Sequence, residues 1–138
     1  MAIGTVDSTK VVHEALVKTG TDLYTLIGAR AFSPVAPVPS VWNNSTPAVI
    51  FRETNISPPA CDGAEFIDVQ FRCYGGTQSY TDARTVYRAL RDRLVSMCGE
   101  TLTTGRVSRV FVISGRQEPL EPDTGWPCYV VNCRIILS

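Results

Sequence analysis

Between residues 65 and 97 the spacing of apolar residues changes its period. In EFIDVQFRCY (65–74), Ile67, Val69, Phe71 and Cys73 alternate with Asp68, Gln70, Arg72 and Tyr74. That two-residue repeat describes a strand with one buried and one wet face. Gly75 and Gly76 end it. In SYTDARTVYRALRDRLVSM (79–97), Ala83, Val86, Tyr87, Leu90, Leu94 and Met97 then fall on one continuous stripe at 100° per residue. The stripe belongs on the sheet to which the strand contributes.

The remaining segments follow the same logic. A first helix starts near Asp7 or Ser8, both good caps. Val11, Val12, Ala15 and Leu16 share one side, Leu23, Leu26 and Ile27 continue it, and Gly28 is a natural stop. One long helix and two shorter ones separated at Thr19–Gly20 both satisfy this pattern. A short strand is expected at Arg30–Ser33. Prolines at 34, 37, 39 and 47 make 33–47 an extended arm or long loop, since they exclude a regular helix or a central strand. PAVIFRE (47–53), GRVSRVFVIS (105–114) and YVVNCRIIL (129–137) read as strands, with turn-rich chain from Gly115 to Pro127 between the last two. The order predicts an α+β domain spanning 1–138, with two main helices packed on one face of a largely antiparallel sheet. Strand alternation supports this, because a sheet covered on both faces is more uniformly apolar.

The chain has 138 residues, enough for an independent core, and its 13 basic and 13 acidic residues cancel. Balanced charge gives no footprint for coating nucleic acid. No aromatic-interleaved basic motif accompanies Arg106, Arg109 and Arg116. No run approaches a membrane span, and MAIGTVDSTK lacks the apolar core of a secretory signal, so no membrane or export step is expected. Without that signal, NNST (43–46) and NIS (55–57) read as ordinary loop residues, not as glycosylation acceptors. The five cysteines are odd in number and lack a CxxC spacing. Free, mostly buried thiols are expected, with Cys73 and Cys133 acting as small hydrophobes in alternating runs.

Few groups suited to chemistry converge in this sequence. The one histidine, His13, lies off the apolar stripe of the first helix, beside solvent. There is no close histidine pair for metal, no GxGxxG and no phosphate-loop lysine. Asp62, Glu65 and Asp68 cluster loosely, and Glu118, Glu121 and Asp123 lack the spacing of a calcium loop. No cofactor, metal or catalytic residue is named on this basis.

The outer side of the 79–97 helix is more informative. Arg84, Arg88 and Arg91 line one flank, and Thr85, Ala89, Asp92 and Ser96 lie opposite the core. A solvated face explains this, with Arg88 and Asp92 pairing weakly at i, i+4. A subunit contact explains it too, because small residues allow close approach and arginines offer planar donors to a neighbour's carboxylates. Only Lys10 and Lys18 are lysines, so arginine carries most of the positive charge. Trp42 and Trp126 each sit in a proline-bearing loop, where tryptophan either covers a core edge or anchors a partner.

This arrangement resembles the tail-terminator or tail-completion proteins of long-tailed bacteriophages. The likeness lies in the succession of segments: a helix ending in LIGAR (26–30), a proline-rich connection, TPAVIFRE (46–53), the strand–glycine–helix run 65–94, and a closing strand pair. The resemblance implies a virion protein of the tail or neck, assembled in the host cytoplasm. It implies a homo-oligomeric ring, usually a hexamer, that ends the tail tube and offers a surface to the head-side connector or head-closure protein. The tape-measure protein is a further candidate partner, and DNA passes through the lumen without sequence-specific binding. The family supplies no catalytic residues. Under this reading Arg84, Thr85, Arg88, Ala89, Arg91, Asp92 and Ser96 are candidates for the ring contact. The loops at 33–47 and 115–127, with Trp42, Glu118, Glu121 and Trp126, are candidates for docking. Two alternatives stand beside it. One is another phage neck subunit, a head-closure or adaptor protein. The other is a small cytosolic enzyme or ligand-binding domain that uses Cys61 or Cys98, the cysteines away from alternating strands.

Overall fold

The turn at Gly75 brings strand and helix closer than any side chain would permit. A Cβ there would lie 2.4 Å from the backbone nitrogen of Ala83 in the helix that follows. The computed structural model describes residues 7–56 and 65–138, and within them this junction sets the layering. Strand β3 (Glu65–Tyr74) runs into α3 (Tyr80–Ser96), which folds back over the sheet. Ser79 caps α3 by accepting from the Thr81 amide at 3.1 Å. Asp82 accepts from the Thr77 hydroxyl at 2.6 Å, and that hydroxyl accepts from the Ser79 amide. The acid thus reaches the cap through Thr77, where a capping box would bond it directly.

The first helical region is two helices. α1 (Ser8–Leu16) is capped by Asp7, and α2 (Asp22–Ile27) by Thr21, whose hydroxyl accepts from the Tyr24 amide at 3.1 Å. Gly20, at φ +85°, turns the chain between them. The remaining strands are β1 (Ala31–Phe32), β2 (Ala48–Ile56), β4 (Val107–Glu118) and β5 (Cys128–Leu137). The order β1-β2-β3-β5-β4 is antiparallel except for the short parallel pair β1–β2. The α+β architecture expected from the segment order is therefore present. β4 runs four residues past its expected end at Ser114, so 115–118 belong to the sheet and not to the loop.

The helices close one face. Val11, Leu16, Leu23, Ile27, Val86, Leu90 and Leu94 meet Ile67, Phe71, Val131, Cys133 and Ile135 in one buried cluster. Arg93 is the charged member of this layer, 5% exposed. Its Nε donates to the Ala15 carbonyl at 2.8 Å, and its two Nη atoms donate to Glu100 at 2.8 and 3.0 Å. Lys18 reaches the same carboxylate at 2.6 Å, so one acid ties the end of α1 to the end of α3. The hydrogen bonds from Arg93 outweigh the cost of burial and hold the Glu100 carboxyl at about 2.

Candidate functional site

Among the described residues, the reverse face of the sheet is covered only at one end. There Trp42, Ala48, Ile50, Tyr74, Cys128 and Val130 form a second, smaller cluster, with Phe32 and Trp126 packed against it. Trp42 is 3% exposed, and its indole nitrogen donates to the Thr46 carbonyl at 2.9 Å. Its ring meets Tyr74 and Trp126 edge-on, with centroids 5.4 and 5.2 Å away. Of the two roles open to a loop tryptophan, Trp42 takes the covering one and corrects the expectation that it anchors a partner. Trp126 is half-buried beside it.

Glu121 is likewise engaged within the chain. It accepts from the Tyr74 hydroxyl, from Arg72 Nη2 at 2.8 Å and from the Thr124 hydroxyl at 2.9 Å. Burial, reinforced by the Glu121 hydrogen bond, pushes the Tyr74 phenol far above its ordinary value. Glu118 pairs with Arg116 at 2.5 Å, and its carbonyl accepts from the Tyr80 hydroxyl at 2.6 Å. The loop tips instead expose apolar side chains: Val35, Val38 and Val41 on the proline arm, and Leu120 beyond β4.

On α3 the candidate contact residues separate into two sets. Ala89 is buried, because α2 lies against this side of α3. The small residue there admits a helix of the same chain. Thr85, Asp92 and Ser96 are exposed along the grooves between α2 and α3. Arg84, Arg88 and Arg91 are exposed on the opposite flank, which faces the β4 edge. Arg91 lies 5.8 Å from the centre of the Tyr87 ring, and Tyr87 packs on Tyr129 and against Gly115. No carboxylate among the described residues pairs with these three arginines, and Arg88 makes no ion pair with Asp92.

A groove of about 700 Å³ opens at the other edge of the sheet, between α1, the segment 33–37 and β2. Thr9, His13, Val17, Phe32, Val35 and Ala36 are among its lining residues. It exists because β1 is two residues long and leaves most of the outer edge of β2 without a strand beside it. His13 stands at its rim, exposed as expected. Glu14, also in the lining, is committed to the amides of Thr103 and Thr104 at 2.8 and 3.1 Å. No described thiol lines it. Cys73, Cys128 and Cys133 are free and buried, and burial raises all three, Cys133 to about 12, so they stay protonated at neutral pH. Cys98 is exposed on the α3 side of β4, with its sulfur 4.0 Å from the Val110 carbonyl. Cys61 and Asp62 lie outside the described residues.

Of the loose acid group, Asp68 accepts from Arg134 at 2.8 and 3.1 Å. Among the described residues no cluster of histidine, cysteine and acid has the grouping of a metal site. No helix among them is long and apolar enough to cross a membrane. The groove escaped the sequence because its walls come from segments far apart in the chain. Val95 did leave a signal, since it sits off the apolar stripe and on the arginine flank.

No family model and no curated protein matches the chain. Among solved structures, a chain in the virion of a native gene transfer agent (GTA) particle is similar in fold, with a TM-score of 0.66 at 13% sequence identity. The match covers 91% of this chain and 90% of that one, so the likeness is of the whole fold.

Proposed function

We propose that this chain is a virion structural protein of a long-tailed, phage-like particle, and that it forms the ring that ends the tail tube and joins it to the head-side connector. The observation that carries this reading is the fold shared with a chain of the gene transfer agent virion over nine-tenths of both lengths. A sheet with one helix laid across it is common, but agreement over 91% of this chain is a stronger likeness than a shared motif. The tail-terminator layout of the sequence points the same way.

Ring formation from one kind of subunit uses two different surfaces that close by rotation. The unpaired Arg84, Arg88 and Arg91 are the proposed contact on one side, and Thr85, Asp92 and Ser96, on the other flank of α3, remain exposed beside α2. The exposed Val38, Val41 and Leu120 on the loops are the proposed docking points for the tube or the connector, in place of Trp42 and Glu121. No step of this function calls for a reaction.

The test is particle assembly without this chain, followed by electron microscopy. A terminator's loss leaves overlong tails without heads. Tails of normal length that fail to join heads assign the chain to another neck ring, a head-closure or adaptor subunit. Normal particles overturn both readings.

A further inference from the structure

The two edges of the sheet differ in shape and in charge. β4 is the outer strand on one side, and Ile113 there is 63% exposed. Ile113 occupies a register shift between Val112 and Ser114, the position of an extra residue in a bulge. Val95 of α3, 67% exposed, belongs to the same stripe as Arg84, Arg88 and Arg91, on the flank toward this edge. Arg109 of β4 is exposed as well, and none of these four arginines has a carboxylate partner among the described residues. This edge is an exposed apolar ridge set among cations.

The opposite edge is a concave apolar groove whose surroundings are acidic. Glu14 lines the groove, and Asp7 and Glu53 stand beside it at the start of α1. Glu14 is held by backbone amides, Glu53 by the hydroxyls of Ser8 and Thr9, and Asp7 by the Lys10 amide. Those donors are neutral, so they leave the negative charge in place. Lys10 offsets one of the three.

We propose that the groove receives the β4 edge of a second copy of this chain. Ile113 and Val95 enter the groove, and Arg84, Arg88, Arg91 and Arg109 face Asp7, Glu14 and Glu53 of the next subunit. Ridge and groove lie on opposite edges of one sheet, so the contact is heterologous and repeats head to tail. Complementary charge on a chain of zero net charge favours this arrangement over an edge meeting its own copy, which would set arginine against arginine. Two register shifts interrupt β4, and such bulges oppose the addition of a strand along it. The contact is therefore made by side chains and not by a continued sheet. This inference rests on the ring reading and specifies which surfaces meet.

Cysteine cross-linking tests it. In a full-length background carrying Cys61→Ser and Cys98→Ser, Ile113→Cys and Ala36→Cys are introduced singly and together. Each variant is mixed with tail tubes under mild oxidation, then followed by non-reducing gel and light scattering. The double variant is expected to give a ladder of covalent oligomers, and each single variant only monomers on the gel. Adding Arg84→Glu, Arg88→Glu and Arg91→Glu should cut the ladder's yield at least roughly tenfold at low salt. Dimers from Ile113→Cys alone would overturn the proposal in favour of a symmetric edge contact. Multi-subunit assemblies without a ladder would overturn the pairing and leave the ring reading standing. Monomers under every condition, tubes included, would overturn both.

Discussion

On one face of the sheet, Ile67, Val69, Phe71 and Cys73 of β3 lie beside Val131, Cys133 and Ile135 of β5, under the helices. On the other, Asp68, Gln70 and Arg72 lie beside Arg134, Asn132 and Val130, and only Tyr74 at the end is roofed by tryptophan. The same strands in the same register supply both faces. The difference is in what covers them: helices that bring long aliphatic side chains, against loops that bring a few aromatics and prolines. A face covered by helices is closed to water over its centre and is apolar there, with Glu53 at its margin. A face covered at one end keeps charged side chains where it opens, held by partners across the strands.

The comparison breaks first at Phe71, which is fully buried under the helices and 6.1 Å from Phe51, centre to centre. Phe71→Ala should cost about 3–5 kcal/mol, because helices packed on a sheet cannot collapse into the hole. A urea titration followed by far-ultraviolet circular dichroism measures it. A loss near 1 kcal/mol would show the helical layer to be looser than its burial implies.

Arg93→Ala comes next. It strips the buried end of α3 of its link to α1 and leaves Glu100 with Lys18 alone, at a cost of about 3 kcal/mol. The pH dependence carries the same sign. Glu100 is held at about 2 in the folded chain, below the ordinary 4.5. Its contribution is therefore complete above about 4.5 and is lost as pH falls toward 2. Glu100→Gln should flatten the acid limb of the stability curve in that window and change little at pH 7 to 8 beyond a constant offset.

On the reverse face, Trp42→Ala should cost about 2 kcal/mol, below the usual range for a buried aromatic, because the small cluster it closes adjoins the open part of that face, from which water can enter the site. A loss as large as that of Phe71→Ala would mean that both faces are equally closed. The tryptophan fluorescence that remains, from Trp126, should shift to the red, since Trp42 is the ring that shields it.

How much of this was legible depends on the range of the interaction. The alternation of β3 and the stripe of α3 report local periodicity, and both elements appear where that periodicity puts them. The break between α1 and α2 is also local, but Gly20 weakens a helix without requiring its end, and the Thr21 cap decides the matter. The end of β4 was obscured because Gly115 looks like a turn residue. Its partner is Tyr87, whose hydroxyl would sit 2.4 Å from a Cβ at that position, and nothing near 115 in the sequence announces it. The same holds for the placement of Trp42 and Glu121. Loop composition gave each an exposed reading, whereas a tyrosine and an arginine on β3 draw them in. The Arg84–Arg88–Arg91 flank was readable because a helix displays its own surface. The groove it is proposed to meet was not, because no one segment contains it.

Asp68→Asn is the smallest and most discriminating change. Asp68 and Arg134 pair in two parallel hydrogen bonds across β3 and β5, and the guanidinium also lies 4.2 Å from the centre of the Phe66 ring. The hydrogen bond from Arg134 holds the Asp68 carboxyl below its ordinary value. Both side chains still reach solvent, where such pairs contribute little to stability because water competes for each charge. Asparagine keeps the shape and one acceptor, so the urea midpoint should move less than for any change above. What movement there is should fade in 1 M salt, where charges are screened within about 3 Å. A salt-insensitive loss comparable to that of Trp42→Ala would place this pair among the groups that hold the reverse face together. The open part of the sheet would then be a second closed surface, and the contrast between the two faces would fail at its centre.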